Sequence, residues 1–111
     1  MSKKASKEET PSEIPLPNPS ENTIICGVIR HLGGDYLLVR CMDGIDRKAR
    51  IPGKIRKKIW IIEGDFILAG LWDSGSDKCD VIYKYSRSEI NKLIDKKIIP
   101  KEFVDAISGL L

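Results

Sequence analysis

The feature that most restricts how this chain can fold is a pair of glycine-containing turn signals cutting one apolar, β-rich region into short runs. Residues 23–32 are β-branched and apolar, Gly33-Gly34 interrupts them, residues 35–42 resume the pattern, and Asp43-Gly44 interrupts it again before residues 45–51. Two-residue turns of this kind need positive φ, which glycine tolerates, so each signal predicts a hairpin. Alternation in the second run places Leu37, Val39 and Cys41 on one face and Tyr36, Leu38 and Arg40 on the other. The first set is the expected core. On the third run Ile45, Ala49 and Ile51 share a face, while Asp46, Lys48 and Arg50 point the opposite way. Arg47 falls on the apolar side. That predicts a position near an open end of the sheet, with its stem packed and its guanidinium in solvent.

Pro52-Gly53 ends the third strand, and one helical turn over residues 54–60 would bury Ile55 and Ile59 at i and i+4. Residues 65–71 read as a fourth strand and residues 73–77 as a loop. A fifth strand over residues 78–85 is expected to alternate Cys79, Val81, Tyr83 and Tyr85 against Asp80, Ile82 and Lys84. Ser86 and Glu89 then have capping-box spacing, which predicts a helix over residues 87–97 with Ile90, Leu93 and Ile94 on its apolar face. Pro100, followed by Phe103, Ile107 and Leu110, predicts a second short helix ended by Gly109.

Five short strands with the longest connection between the third and fourth, followed by helix, fit a mainly β fold. The expected form is a closed five-stranded barrel of the oligonucleotide-binding (OB) type with one or two short C-terminal helices. A small SH3-like barrel is the second choice. The organisation expected is a flexible N-terminal tail over residues 1–22, the barrel over 23–86, and a helical extension packed on it over 87–111. Pro11, Pro15, Pro17 and Pro19 crowd the tail, and beyond Ile14 and Leu16 it has almost no apolar residue to bury.

A chain of 111 residues can support one core and not two. It has no apolar run long enough to span a membrane and no visible secretory signal, so a cytoplasmic location is expected. Cys26, Cys41 and Cys79 are odd in number and widely spaced within strand-like runs, which suits free buried thiols in a reducing compartment. The competing possibility is a zinc site joining them to His31, but the paired cysteine spacing of structural zinc sites is absent. No metal and no cofactor are expected. Nor is catalysis, since His31 lacks a motif-related nucleophile and the carboxylates are dispersed.

The charge distribution is uneven. Residues 47–58 hold seven basic residues and no acidic one, contributing +7 where the whole chain carries +3. Clustered like charge destabilises a fold unless a polyanion meets it. On an OB barrel the second and third strands carry a face that commonly binds nucleic acid. Arg40, Arg47, Lys48, Arg50, Lys54, Arg56, Lys57 and Lys58 are therefore the candidate RNA-contacting cations. Tyr36 and Trp72 are candidates for stacking on bases, and Trp60, between Ile59 and Ile61, is expected to be partly buried structural support.

The run Cys41-Met42-Asp43-Gly44, Arg47, Ile51, then Gly53-Lys54-Ile55-Arg56-Lys57-Lys58-Ile59-Trp60-Ile61, resembles translation initiation factor 1A of the archaeal and eukaryotic type. The likeness continues through residues 65–71, Asp73 and residues 78–85, and bacterial initiation factor 1 looks like a more distant relative. A monomer is expected, and the resemblance implies a factor at the aminoacyl-tRNA site of the small ribosomal subunit, touching rRNA of the decoding region. It also implies stabilised initiator tRNA binding, a part in subunit dissociation and start-codon selection, and contact with other initiation factors, including an initiation GTPase. By position it makes Arg47, Lys54, Arg56, Lys57 and Lys58 rRNA contacts. The alternatives are a non-ribosomal RNA-binding OB protein or a protein-binding barrel adaptor.

Overall fold

The computed structural model describes residues 14–57, 59–73 and 76–111. Five strands form in the expected places: β1 (Thr23–Gly33), β2 (Tyr36–Cys41), β3 (Asp46–Arg50), β4 (Phe66–Leu71) and β5 (Lys78–Tyr85). The hairpin between β1 and β2 turns on Gly33 and Gly34, whose φ values of 95° and 58° are those an L side chain disfavours. β1 pairs antiparallel with both β2 and β4, β2 with β3, and β4 with β5, while β3 and β5 run parallel. The sheet thus closes as β1-β2-β3-β5-β4, the OB arrangement, and every strand has two neighbours.

Closure creates two apolar layers from the two faces of the same strands. Inside the barrel lie Cys26, Val28, Leu37, Val39, Cys41, Ala49, Ile51, Ile61, Ile67, Ala69, Cys79 and Val81. Outside it, Ile25, Phe66, Leu68 and Tyr85 pack against the helices α2 (Arg87–Asp95) and α3 (Lys101–Gly109) through Ile90, Leu93 and Ile107, and against Ile99 of the connection between them. Gly27 of β1 lets α3 approach: a Cβ there would lie 2.6 Å from Ile107 Cγ1.

Several expectations need correction. The uniform alternation expected along β5 breaks at a register shift, where Leu68 and Ala69 oppose Tyr83 and Val81, so that Ile82 is the extra residue. This bulge turns Tyr83 and Tyr85 out of the barrel and towards the helices, leaving Cys79 and Val81 inside. Cys26 and Cys41, expected as free thiols, face each other across β1 and β2 and are joined as a disulfide; only Cys79 is free, and it is buried. The segment from Ile14 to Asn22, expected to belong to a flexible tail over residues 1–22, is held in place. Ile14 is buried in the outer layer, Pro15 O accepts from the Tyr85 hydroxyl, and Asn18 caps a single 3-10 turn at Pro19–Glu21. One isoleucine and one proline carbonyl thus give the polar segment an anchor. Residues 1–13 of that tail lie outside the described residues.

The capping box of α2 forms as its spacing predicts, with Ser86 and Glu89 each bonding the other's backbone N–H. The helix stops two residues before Lys97. Lys97 sits at φ 63°, and the N–H groups of Lys97 and Ile98 bond back to Ile94 and Leu93. That is a Schellman ending with lysine where glycine is usual.

Candidate nucleic-acid interface

β3 divides its cations by pleat direction. Arg47 points into the end of the barrel and is 3% exposed. Its Nη1 and Nη2 donate to Asp43 Oδ1 and Oδ2 at 3.0 and 2.9 Å, and its Nε donates to Ser76 O at 2.8 Å. The expectation of a solvated guanidinium fails here, because acceptors from the β2–β3 turn and the β4–β5 loop enclose the head and occupy the donors that an RNA contact would need. Arg47 is a clasp between those loops. In return its hydrogen bonds hold the Asp43 carboxyl below its ordinary value of 3.8.

The outward residues form cross-strand rows. Arg40 faces Asp46, with Nε to Oδ1 at 2.6 Å and Nη2 to Oδ2 at 3.1 Å. Arg50 lies between Tyr36 and Asp80 and gives Asp80 a second fork, at 3.1 and 3.3 Å. Each hydrogen-bonded pair raises its arginine's pKa, and Arg40 lowers that of Asp46. Both arginines thus lie on the outer face with their countercharge already beside them.

Lys48 is different. Its neighbour on β2 is Leu38 and its parallel neighbour on β5 is Lys78, so two lysines stand opposite each other. Both are exposed, and neither has an ion pair among the described residues. With Leu32, Gly33 and Tyr36 they line a shallow pocket of about 250 Å3. Like charges directly opposite destabilise a sheet, by up to ~1 kcal/mol, unless an anion lies between them. Lys78 was not among the sequence candidates. Only the parallel register of β3 with β5 brings it to Lys48, and no local pattern encodes that register.

The turn α1 (Gly53–Arg56) follows β3 and packs Ile55, with Ile59, on the barrel core. Lys54 and Lys57 are exposed on it. Lys58 and the side chain of Arg56 lie outside the described residues. Trp60 is 83% exposed, so its expected role as buried support fails. The segment after α1 buries Ile61 and points Trp60 and Ile62 outward, and Lys84 Nζ holds the Trp60 carbonyl at 2.9 Å.

Trp72 stands at the end of β4, half-exposed, its Nε1 donating to Asp80 Oδ1 at 3.1 Å. Lys78 Nζ lies 5.7 Å from the centre of its ring. Tyr36 is half-buried beside Arg50. The thiolate–histidine set weighed for zinc is not brought together: Cys26 and Cys41 are joined, and His31 Nε2 donates to Ile61 O at 2.8 Å. Among the described residues no group of three or more His, Cys, Asp or Glu side chains could hold a metal ion, and no helix is long and apolar enough to cross a membrane.

A closed OB barrel with helices on one outer face and lysines and aromatics on another defines the class, an OB-fold protein. The family profile for translation initiation factor 1A / IF-1 matches residues 11–108. The translation initiation factor 1A of Desulfurococcus amylolyticus is 62% identical over 113 residues, covering 100% of this chain and 97% of that protein. That of Saccharolobus solfataricus is 50% identical over 109 residues, covering 98% and 100%. The solution structure of translation initiation factor 1 from the Wolbachia endosymbiont strain TRS of Brugia malayi is similar at a TM-score of 0.47 and 22% identity, over 64% of this chain and 85% of that one. The chain belongs to the translation initiation factor 1A / IF-1 family, and its role is in translation initiation.

Proposed function

We propose that this chain binds the small ribosomal subunit at the aminoacyl-tRNA site, with the outer face of β2, β3 and β5 and the α1 turn against decoding-region RNA. There it stabilises initiator tRNA indirectly and promotes subunit dissociation and start-codon selection, alongside other initiation factors including an initiation GTPase. It works in the cytoplasm as a monomer and by binding alone, without a cofactor or a catalysed step. Residues 23–86 form the RNA-binding unit, and residues 87–111 brace its opposite side.

One observation carries this reading. Lys48, Lys78, Lys54 and Lys57 are exposed without ion-pair partners among the described residues, while the arginines among them are neutralised in place. Such unpaired charge is what a phosphate backbone neutralises, with release of counterions. Arg56 and Lys58 join this surface on their place in the sequence alone.

The test is binding to purified small subunits at several salt concentrations. Changing Lys48, Lys54, Lys57 and Lys78 to Ala should leave the circular-dichroism spectrum native and reduce the salt slope by roughly three, at ~0.7–0.9 per contact. An unchanged slope in the folded variant refutes the reading in favour of a protein-binding adaptor. Binding to naked RNA but not to subunits points to a non-ribosomal RNA-binding protein.

A further inference from the structure

Asp80 is an acidic residue on a face whose free charges are cationic, and simple electrostatics makes it a defect for binding a polyanion. Its contacts give it another purpose. Oδ1 accepts from Trp72 Nε1 at 3.1 Å, and the two carboxylate oxygens together take the Arg50 fork at 3.1 and 3.3 Å. Lys78 lies 5.7 Å from the Trp72 ring centre, and the Trp72 backbone N–H bonds Lys78 O at 3.2 Å. The indole is thus tied at its nitrogen edge and its backbone, yet 49% of the residue stays exposed. An exposed tryptophan normally samples several rotamers, and ordering it on binding costs free energy that a pre-set ring does not.

We propose that Asp80 is a positioning residue of the nucleic-acid face, holding Trp72 as a preformed stacking platform for an unpaired base. Arg50 is the second half of the device. By neutralising Asp80 it lets a carboxylate stand at a phosphate-binding surface without repelling the strand, and its own fork keeps the carboxylate turned towards the indole. The proposal rests on the RNA-binding reading above and adds the ligand chemistry, a single-stranded segment with a free base, since a base within a duplex offers no open face for stacking.

Two variants separate position from charge. Asp80→Asn removes the charge but keeps a carbonyl oxygen for the indole N–H; Asp80→Ala removes both. Made in a Trp60→Phe background, which leaves Trp72 as the sole tryptophan, each is followed by emission anisotropy, acrylamide quenching and titration with a short unpaired oligoribonucleotide. Asp80→Ala should lower the anisotropy, increase the quenching and weaken oligonucleotide binding roughly fivefold or more, although a negative charge has gone. Asp80→Asn should restore the anisotropy and bind at least as well as the parent. Asp80→Ala with unchanged anisotropy and equal or tighter binding overturns the proposal. So does oligonucleotide binding by the parent that leaves Trp72 emission unaltered, an outcome that spares the functional reading if small subunits are still bound; failure of the parent to bind small subunits overturns both.

Discussion

Replacing Gly27 with alanine tests how the helical layer is fixed to the barrel. A Cβ at this position would lie 2.6 Å from Ile107 Cγ1, 2.8 Å from Cδ1 and 3.0 Å from Cγ2. To reach an ordinary contact of 3.4 Å, Ile107 must give by roughly 0.8 Å. It has little room, being 1% exposed, and Gly27 cannot retreat because it is paired with Arg40 on one side and Phe66 on the other. Overpacking of this kind costs about 1–3 kcal/mol, whereas the lost freedom of the unfolded chain returns about 0.4–1 kcal/mol. The clash wins, and Gly27→Ala should destabilise by about 1–2 kcal/mol in urea unfolding, with the slope unchanged. Ile107→Ala alone should cost about 2–5 kcal/mol through the cavity it leaves. In that background the alanine methyl enters vacated space, so Gly27→Ala should become neutral or stabilising. The decisive quantity is the coupling energy of the double-mutant cycle, expected at about 1–3 kcal/mol. If the two costs simply add, the close approach of α3 to β1 is not what Gly27 serves.

Three further outcomes follow from single contacts. Arg47→Met should destabilise the protein by about 2 kcal/mol near neutral pH, through loss of the Asp43 and Ser76 bonds at constant packing volume, while the salt slope of subunit binding stays unchanged. Because Arg47 depresses the Asp43 pKa, the unfolded chain takes up this proton first as the pH falls. The stabilisation is whole above the ordinary value of 3.8 and disappears as the pH drops through the lower folded value, so the gap between variant and parent in acid-unfolding curves should narrow only in that window. Lys97→Gly should raise the urea midpoint by the equivalent of about 1 kcal/mol, since the left-handed position at φ 63° strains an L side chain and not glycine. Thiol titration in denaturant should find one reactive cysteine, Cys79, before reduction and three after; three before reduction would refute the Cys26–Cys41 bond.

The barrel was legible because each strand buries one face and its turns use residues with few conformational options. Leu37, Val39 and Cys41 could be assigned to the core from alternation alone, and all three are fully buried. Where alternation failed, the cause was non-local. The extra residue at Ile82 is a property of how β5 meets β4, so the outward turn of Tyr83 and Tyr85 has no local signal. Arg47 looked solvated because its acceptors lie on two loops, one of them 29 residues away in sequence. Trp60 looked buried because its flanking isoleucines are apolar, yet in an extended segment flanking residues share a face that the middle one opposes. The position of Lys78 depended on a parallel pairing that only barrel closure decides.

The same geometry explains why the cations described on β2, β3 and the α1 turn, with Lys78 of β5, separate by residue type. Each of Arg40, Arg47 and Arg50 meets an aspartate, Asp46, Asp43 and Asp80 in turn, with two parallel hydrogen bonds. A guanidinium matches the two oxygens of a carboxylate, and that match fixes both side chains. An ammonium is a mobile point charge that gains less from such a partner, and Lys48, Lys54, Lys57 and Lys78 are left unpaired among the described residues. The arginines therefore use their charge to hold strands and loops in register, and the lysines supply the potential that reaches solvent. A surface assembled this way attracts a polyanion without a fixed hydrogen-bond pattern, so its affinity should fall steeply with salt and depend little on sequence. Any preference for a particular nucleotide must then come from elsewhere on the face. The Trp72 ring, whose Nε1 donates to Asp80 Oδ1, is the feature there with the geometry to express it.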